Sequence, residues 1–265
     1  MHRSGEFVKC LLSPRPVTLP LGLARKPMND PNPAPINNLG VFLKSPEAGS
    51  VKTRLGASIG MQAAAHVYRS FCADLFETLL ALEETRVWVF FEPSDAEESC
   101  HEIFEDVGSI PEDWRWIAQS DGDLGARMLA AFTRMSASGG PAVLIGTDLP
   151  TLPKERLDDA FVALKSTPAV FGPALDGGYY LLGLSAAVPM IARSRLFCDI
   201  AWSTSEVLSA SLARLRESGL DFQLLPRERD IDTLEDLIAL AEQLSEADSA
   251  LWQRSRRACT EVLGR

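Results

Sequence analysis

Residues 141–150 read Pro-Ala-Val-Leu-Ile-Gly-Thr-Asp-Leu-Pro. Ala142 to Ile145 form a short unbroken apolar run with two β-branched members, which reads as a strand buried on both faces. Pro150 blocks further ladder pairing, so the strand ends in Gly146, Thr147 and Asp148. A carboxylate therefore stands at the tip of a central strand, and open α/β sheets bind ligands outside the carboxyl ends of their strands. Such a tip suits Mg²⁺, which takes one or two carboxylates and fills its sphere with substrate phosphates. Asp is equally favoured as a turn or cap residue before the helix expected from Pro153. The segment alone leaves both readings open.

Outward from this strand the pattern alternates. Strands are expected at Leu39 to Lys44, Arg86 to Phe91, Trp114 to Ala118, Ala169 to Phe171, Tyr179 to Leu184 and Phe222 to Leu225. Apolar residues at helical spacing (Leu55, Ile59, Ala63, Val67, Phe71, Leu75, Leu79) mark a long helix over Thr53 to Leu82, broken near Gly60. Further helices are expected over Asp95 to Val107, Leu124 to Met135, Pro153 to Lys165, Ser203 to Glu217 and Thr233 to Leu244. Ser203 and Glu206 stand at capping-box spacing. This alternation implies an α/β fold with a mostly parallel central sheet and helices on both faces.

The ends are different. Residues 1–38 carry seven prolines between Pro14 and Pro35 and no usable period, so they read as a loose extension or as the product of a start set too early, with initiation at Met28. The globular domain is then 39–248. Residues 249–265, with Arg254, Arg256 and Arg257, read as a solvated C-terminal helical tail.

With 265 residues, a formal net charge of −10 and 46% hydrophobic content, the chain reads as an ordinary globular protein. The acidic balance argues against nucleic acid or an anionic membrane as partner. No apolar run reaches membrane-spanning length. Five scattered cysteines without a CxxC exclude a zinc-finger pattern and fit free thiols in a reducing, cytoplasmic setting.

Four segments carry candidate chemistry. Lys44 to Arg54, KSPEAGSVKTR, links a strand end to a helix start, and Lys44, Lys52 and Arg54 with Gly49 gather positive charge in an acidic protein. Unpaired N–H groups and cations together suit a triphosphate or pyrophosphate. It is not a Walker A loop, since GxxxxGK(S/T) is absent. Gln119 to Arg127, QSDGDLGAR, follows a strand on the same rim. Gly122 and Gly125 permit a tight path against a flat base, Arg127 reaches for phosphate, and Asp123 reads first as a helix cap. In Phe171 to Tyr180, Asp176-Gly177-Gly178-Tyr179 is a turn signal. Its strand is expected beside the central one, so Asp176 should face the same crevice and hold or deprotonate an acceptor. In Arg229 to Asp236, RDIDTLED, Asp232 reads as an N-cap or, if its strand lies beside the central one, as a second carboxylate on the ion held by Asp148. Trp202 reads as packing.

Taken in order, KSPEAGSVKTRL, GDLGARM, IGTDLP, GPALDGGYYLLGL and DIDTLEDL resemble the GT-A-fold nucleotide-diphospho-sugar transferase superfamily over about Leu39 to Leu244. Within it the chain is most similar to a bacterial family that includes arsenosugar-biosynthesis glycosyltransferase-like proteins. It is more distantly similar to phospholactate and molybdenum-cofactor guanylyltransferases. The resemblance implies a single Rossmann-like GT-A domain with Mg²⁺ or Mn²⁺ on Asp148 and Asp232. It also implies nucleotide held by Lys44, Gly49, Lys52, Arg54, Gly122, Asp123, Gly125 and Arg127. Asp176, Gly177, Gly178 and Tyr179 would form the acceptor side, with Asp148, Asp176 and Lys52 as catalytic residues. A homodimer is the superfamily's habit. The LxGGxxxRxG opening of many nucleotidyltransferases and the DxD triplet of many glycosyltransferases are both absent. Three activities follow as expectations: nucleotidyl transfer from an NTP to a phosphorylated small-molecule acceptor, favoured by the cationic loop; glycosyl transfer from a nucleotide sugar; and nucleotide binding without turnover.

Overall fold

A seven-stranded sheet in the order β3-β2-β1-β4-β6-β5-β7 forms the centre of the molecule. The structure is a computed structural model that describes residues 36–248 and 250–264; the expectations for 1–35 lie outside them. The strands are β1 (Asn37–Lys44), β2 (Thr85–Glu92), β3 (Arg115–Ala118), β4 (Ala142–Ile145), β5 (Ala169–Pro173), β6 (Tyr179–Leu184) and β7 (Phe222–Leu224). All neighbours run parallel except β6, which is antiparallel to both β4 and β5. The mostly parallel α/β sheet expected from the alternation is the one observed.

Helices α1 (Thr53–Ile59), α2 (Met61–Leu80), α3 (Glu97–His101), α4 (Leu124–Ser136), α5 (Lys154–Ala163), α6 (Met190–Leu196), α7 (Val207–Glu217), α8 (Leu234–Glu246) and α9 (Gln253–Leu263) make up the rest of the regular structure. Strand side chains alternate between two cores. Val143 and Ile145 join Leu75 and Phe76 of α2 and Leu157 and Phe161 of α5 on one face. Ala142 and Leu144 join Met128 and Phe132 of α4 and Leu212 and Leu215 of α7 on the other. β4 is buried along its whole length, as its apolar run requires.

Some expectations fail, each for a local reason, whereas the long first helix breaks where expected, because Gly60 takes φ 91 and ψ 142 between its two parts. That leaves α1 only seven residues, so little helix dipole stands behind the preceding loop. The 95–107 helix is α3 followed by a 3₁₀ turn over Glu102–Asp106. Ser203 has φ 63 and does not cap α7, which starts at Val207 without a side-chain cap. The tail is not solvated. Ser255, Ala258 and Cys259 of α9 are buried, and Asp74 of α2 accepts from the Ser255 N–H at 2.7 Å and from Arg254 Nη1 at 3.0 Å. Cys72, Cys100 and Cys259 are free and buried.

The strand order also differs. Neither β5 nor β7 lies beside β4, because β6 inserts between β4 and β5. The turn at Gly177-Gly178 folds β5 and β6 into a hairpin, and the longer run of β6, YYLLGL, takes the interior place next to β4. Since β6 runs backwards, its first residue, Tyr179, reaches the rim where the other six strands end.

Candidate active site

That rim holds a cavity of about 660 Å³, a size usual for a small-molecule site. Lys44, Lys52, Arg54, Arg127, Asp148 and Asp232 all line it, together with Gly122, Asp123 and Tyr179. Gly49, Gly125, Asp176, Gly177 and Gly178 lie outside its lining. Phe42, Leu144, Leu182 and Met128 form an apolar floor.

The polar groups fall into two ends. At the first, Lys52 meets two acids. Its Nζ donates to Asp148 Oδ1 in a very close contact and to Asp232 Oδ1 at 3.1 Å. Burial works to lower the ammonium pKa, but the Coulomb attraction and hydrogen bonds of the two carboxylates outweigh it and hold the value above that of a free lysine. The backbone of Lys52 is left-handed, φ 46 and ψ 42, directly before α1. A non-glycine residue keeps that conformation only where its surroundings fix it; here it aims the side chain inward.

Neither acid is a helix cap. The residue before α5 is Pro153, with no side-chain cap, so Asp148 is free of that duty. Thr233 caps α8 in a capping box with Asp236, which frees Asp232 likewise. β7 lies at the sheet edge, yet the Ile231 N–H donates to the Asp148 carbonyl at 3.0 Å and stitches the last segment to the tip of β4. Ile231 itself is buried in the core, while Asp232 on its C-terminal side lines the cavity.

Asp230 went unnoticed in the sequence. Its Oδ1 is buried without a hydrogen-bond partner. Burial first, then the charges of Asp148 and Asp176, push its carboxyl up to about 7.

Asp148 and Asp232 converge on Lys52 Nζ, and both carboxylates remain half exposed to the cavity; oxygen donors of this kind suit a hard divalent cation. No group of three or more His, Cys, Asp or Glu among the described residues is arranged round one centre. Two carboxylates with the remaining positions open is the arrangement that Mg²⁺ accepts when phosphates supply the rest.

At the second end, Glu92 closes β2 opposite Lys44 in the ladder. It pairs with Lys44 at 3.2 Å and, more closely, with Arg127. Arg127 also donates through Nε to the Gly122 carbonyl at 3.2 Å. Asp123 accepts from Ala126 N–H at 2.8 Å, the helix-cap role expected of it. Glu92 carried no sequence signal of its own; only strand pairing places it between two cations. Between the ends, the buried Tyr68 hydroxyl accepts from Lys44 N–H at 3.0 Å and bonds Thr147 Oγ1 at 2.8 Å. It ties the tip of β1 to the tip of β4.

The 174–178 turn is placed differently from the expectation. Asp176 is exposed, and its Oδ1 accepts from Gly178 N–H at 2.8 Å. Gly177 has φ 93, and a Cβ there would stand 2.2 Å from the Ser205 carbonyl oxygen, so the turn requires glycine on both counts. Gly125 serves packing too: a Cβ would meet the Trp202 ring at 2.7 Å.

The family described as "uncharacterized protein conserved in bacteria (DUF2064)" matches residues 75–204. That span contains Asp148 and Asp176 but neither Lys52 nor Asp232. Among solved structures, the chain is similar to a nucleotide-diphospho-sugar transferase, so named, from Desulfovibrio desulfuricans. The two are 29% identical, with a TM-score of 0.73, over 85% of this chain and 97% of that one. The fold is also that of 4-diphosphocytidyl-2C-methyl-D-erythritol synthase from Anaerococcus prevotii, at 12% identity and a TM-score of 0.55 over 79% and 97% of the two chains. No curated protein matches.

Proposed function

We propose that this protein is a divalent-metal-dependent transferase acting on a nucleotide-activated donor, with nucleotidyl transfer from an NTP to a phosphorylated small-molecule acceptor as the leading activity. The observation that carries this reading is the single cavity in which four cations and two open carboxylates meet at the strand ends, in a protein of net charge −10. Lys44, Arg54 and Arg127 form the binding surface for the donor's phosphates, with Glu92 holding two of them in place until phosphate oxygens take over. Lys52 lies where it can neutralise charge that builds on the α-phosphoryl group. Asp148 and Asp232 would hold a divalent cation, which would supply charge neutralisation for the departing pyrophosphate. The acceptor phosphate attacks the α-phosphorus, the bond to the β-phosphate oxygen breaks, and pyrophosphate leaves.

Glycosyl transfer from a nucleotide sugar is the second reading, favoured by the name of the Desulfovibrio relative and by the resemblance to arsenosugar-biosynthesis glycosyltransferases. There the anomeric C–O bond breaks and a nucleoside diphosphate leaves. Asp176 is the weaker part of that reading, since its carboxylate is already engaged by its own turn. Incubation with each NTP and, separately, with nucleotide sugars in Mg²⁺ or Mn²⁺ separates the two. Pyrophosphate release supports the first and free nucleoside diphosphate the second. Tight nucleotide binding that is indifferent to metal and to Asp148→Ala, with no product, would sink both in favour of a non-catalytic module.

A further inference from the structure

Lys52 occupies the point at which the two proposed metal carboxylates converge. Its side chain is 2% exposed, whereas those of Asp148 and Asp232 are 51% and 45% exposed. The cavity therefore presents two open acids whose shared inner position is already filled by a fixed ammonium group. Among the described residues neither acid has another ion-pair partner. The backbone at residue 52 is left-handed, and the side chain it carries is buried.

We infer that Lys52 is a specificity-determining residue that makes the site accept a divalent cation as its nucleotide complex and refuse the bare ion. The inference rests on the metal-dependent reading given above. A bare ion brings two positive charges against a buried ammonium that the same oxygens hold, and displacing Lys52 would leave a buried charge without a partner. A metal–triphosphate complex is net negative. As it takes the carboxylates, its phosphate oxygens become the new acceptors for Lys52, and the local charge stays balanced. Order of binding then follows from electrostatics: nucleotide and cation enter as one unit.

The test measures Mn²⁺ binding to the full chain by the electron paramagnetic resonance of the free ion, with and without CTP or GTP. In the wild type, Mn²⁺ alone is expected to bind at least about tenfold more weakly than in the presence of the nucleotide that the protein accepts. Lys52→Met should bind bare Mn²⁺ at least about tenfold more tightly than the wild type and lose most of the nucleotide dependence, while Lys52→Arg, which keeps the cation, stays weak. Should Lys52→Met not fold, the wild-type comparison decides alone. Equal affinity for Mn²⁺ with and without nucleotide in the wild type, or no gain in a folded Lys52→Met, overturns the inference. If no form binds Mn²⁺ in a manner that Asp148→Ala abolishes, the metal-dependent reading itself falls.

Discussion

The two ends of the cavity are built on opposite principles. Lys52 is sealed, with 2% of its side chain exposed, and is shared by two acids; Lys44 is 57% exposed and shares one acid with Arg127. The sealed end is set by backbone: a left-handed residue and an inter-segment hydrogen bond from Ile231 to Asp148. The open end is set by side chains that can trade Glu92 for a ligand. A rigid end suits the reacting atoms, where small displacements are costly. An adaptable end suits the capture of a flexible polyphosphate.

If that contrast holds, substitutions at the sealed end should act on turnover and those at the open end on affinity. Asp148→Ala should have the largest effect, lowering kcat by about a thousandfold, with the fold kept by circular dichroism. A fall in affinity alone would erase the contrast. Lys44→Ala or Arg127→Ala should raise the donor KM roughly tenfold and leave kcat nearly unchanged, the signature of uniform binding. Tyr68→Phe removes the hydroxyl that joins the tips of β1 and β4. It should cost about 1 kcal/mol in denaturant unfolding, and a matching loss in kcat would show that the bridge serves the sealed end.

The smallest expected effect concerns the segment that delivers Asp232. Burial tends to raise the Asp236 carboxyl pKa, but hydrogen bonds from Thr233 and the Arg229 side chain hold it below the ordinary carboxylate value. A depressed pKa stabilises the fold above the unfolded value near 4 and loses that contribution as pH falls through the folded one. Asp236→Asn should therefore cost up to about 1 kcal/mol at pH 7 and progressively less below about pH 4. A cost independent of pH would mean that the carboxylate charge plays no part in the capping box.

The same contrast shows what was legible in the sequence. β1 to β4 follow one another in a run of parallel strands, and local pattern was enough to place Lys44, Lys52, Asp148 and Arg127 on one rim. The second half contains a hairpin whose returning strand displaces its predecessor from the centre, and local periodicity carries no record of such an exchange. The expectation for Asp176 rests on an adjacency of β5 to β4 that the sheet does not have. The expectation for Asp232 rests on similar grounds, yet it lines the cavity, with the neighbouring Ile231 N–H bonded to the Asp148 carbonyl. Glu92 and Asp230 were hidden because their significance lies in partners distant along the chain. α9 reads as solvated because its arginines are visible in sequence while Asp74, the acceptor for Arg254, is buried in another helix.

The clasp between Ile231 and Asp148 has a consequence for biosynthesis. The acid that completes the sealed end follows every strand of the sheet in the chain. A nascent chain still attached to the ribosome can form most of its sheet, including the tip of β4, long before Asp232 emerges. Whatever chemistry this rim performs is withheld from chains that stop before Asp232.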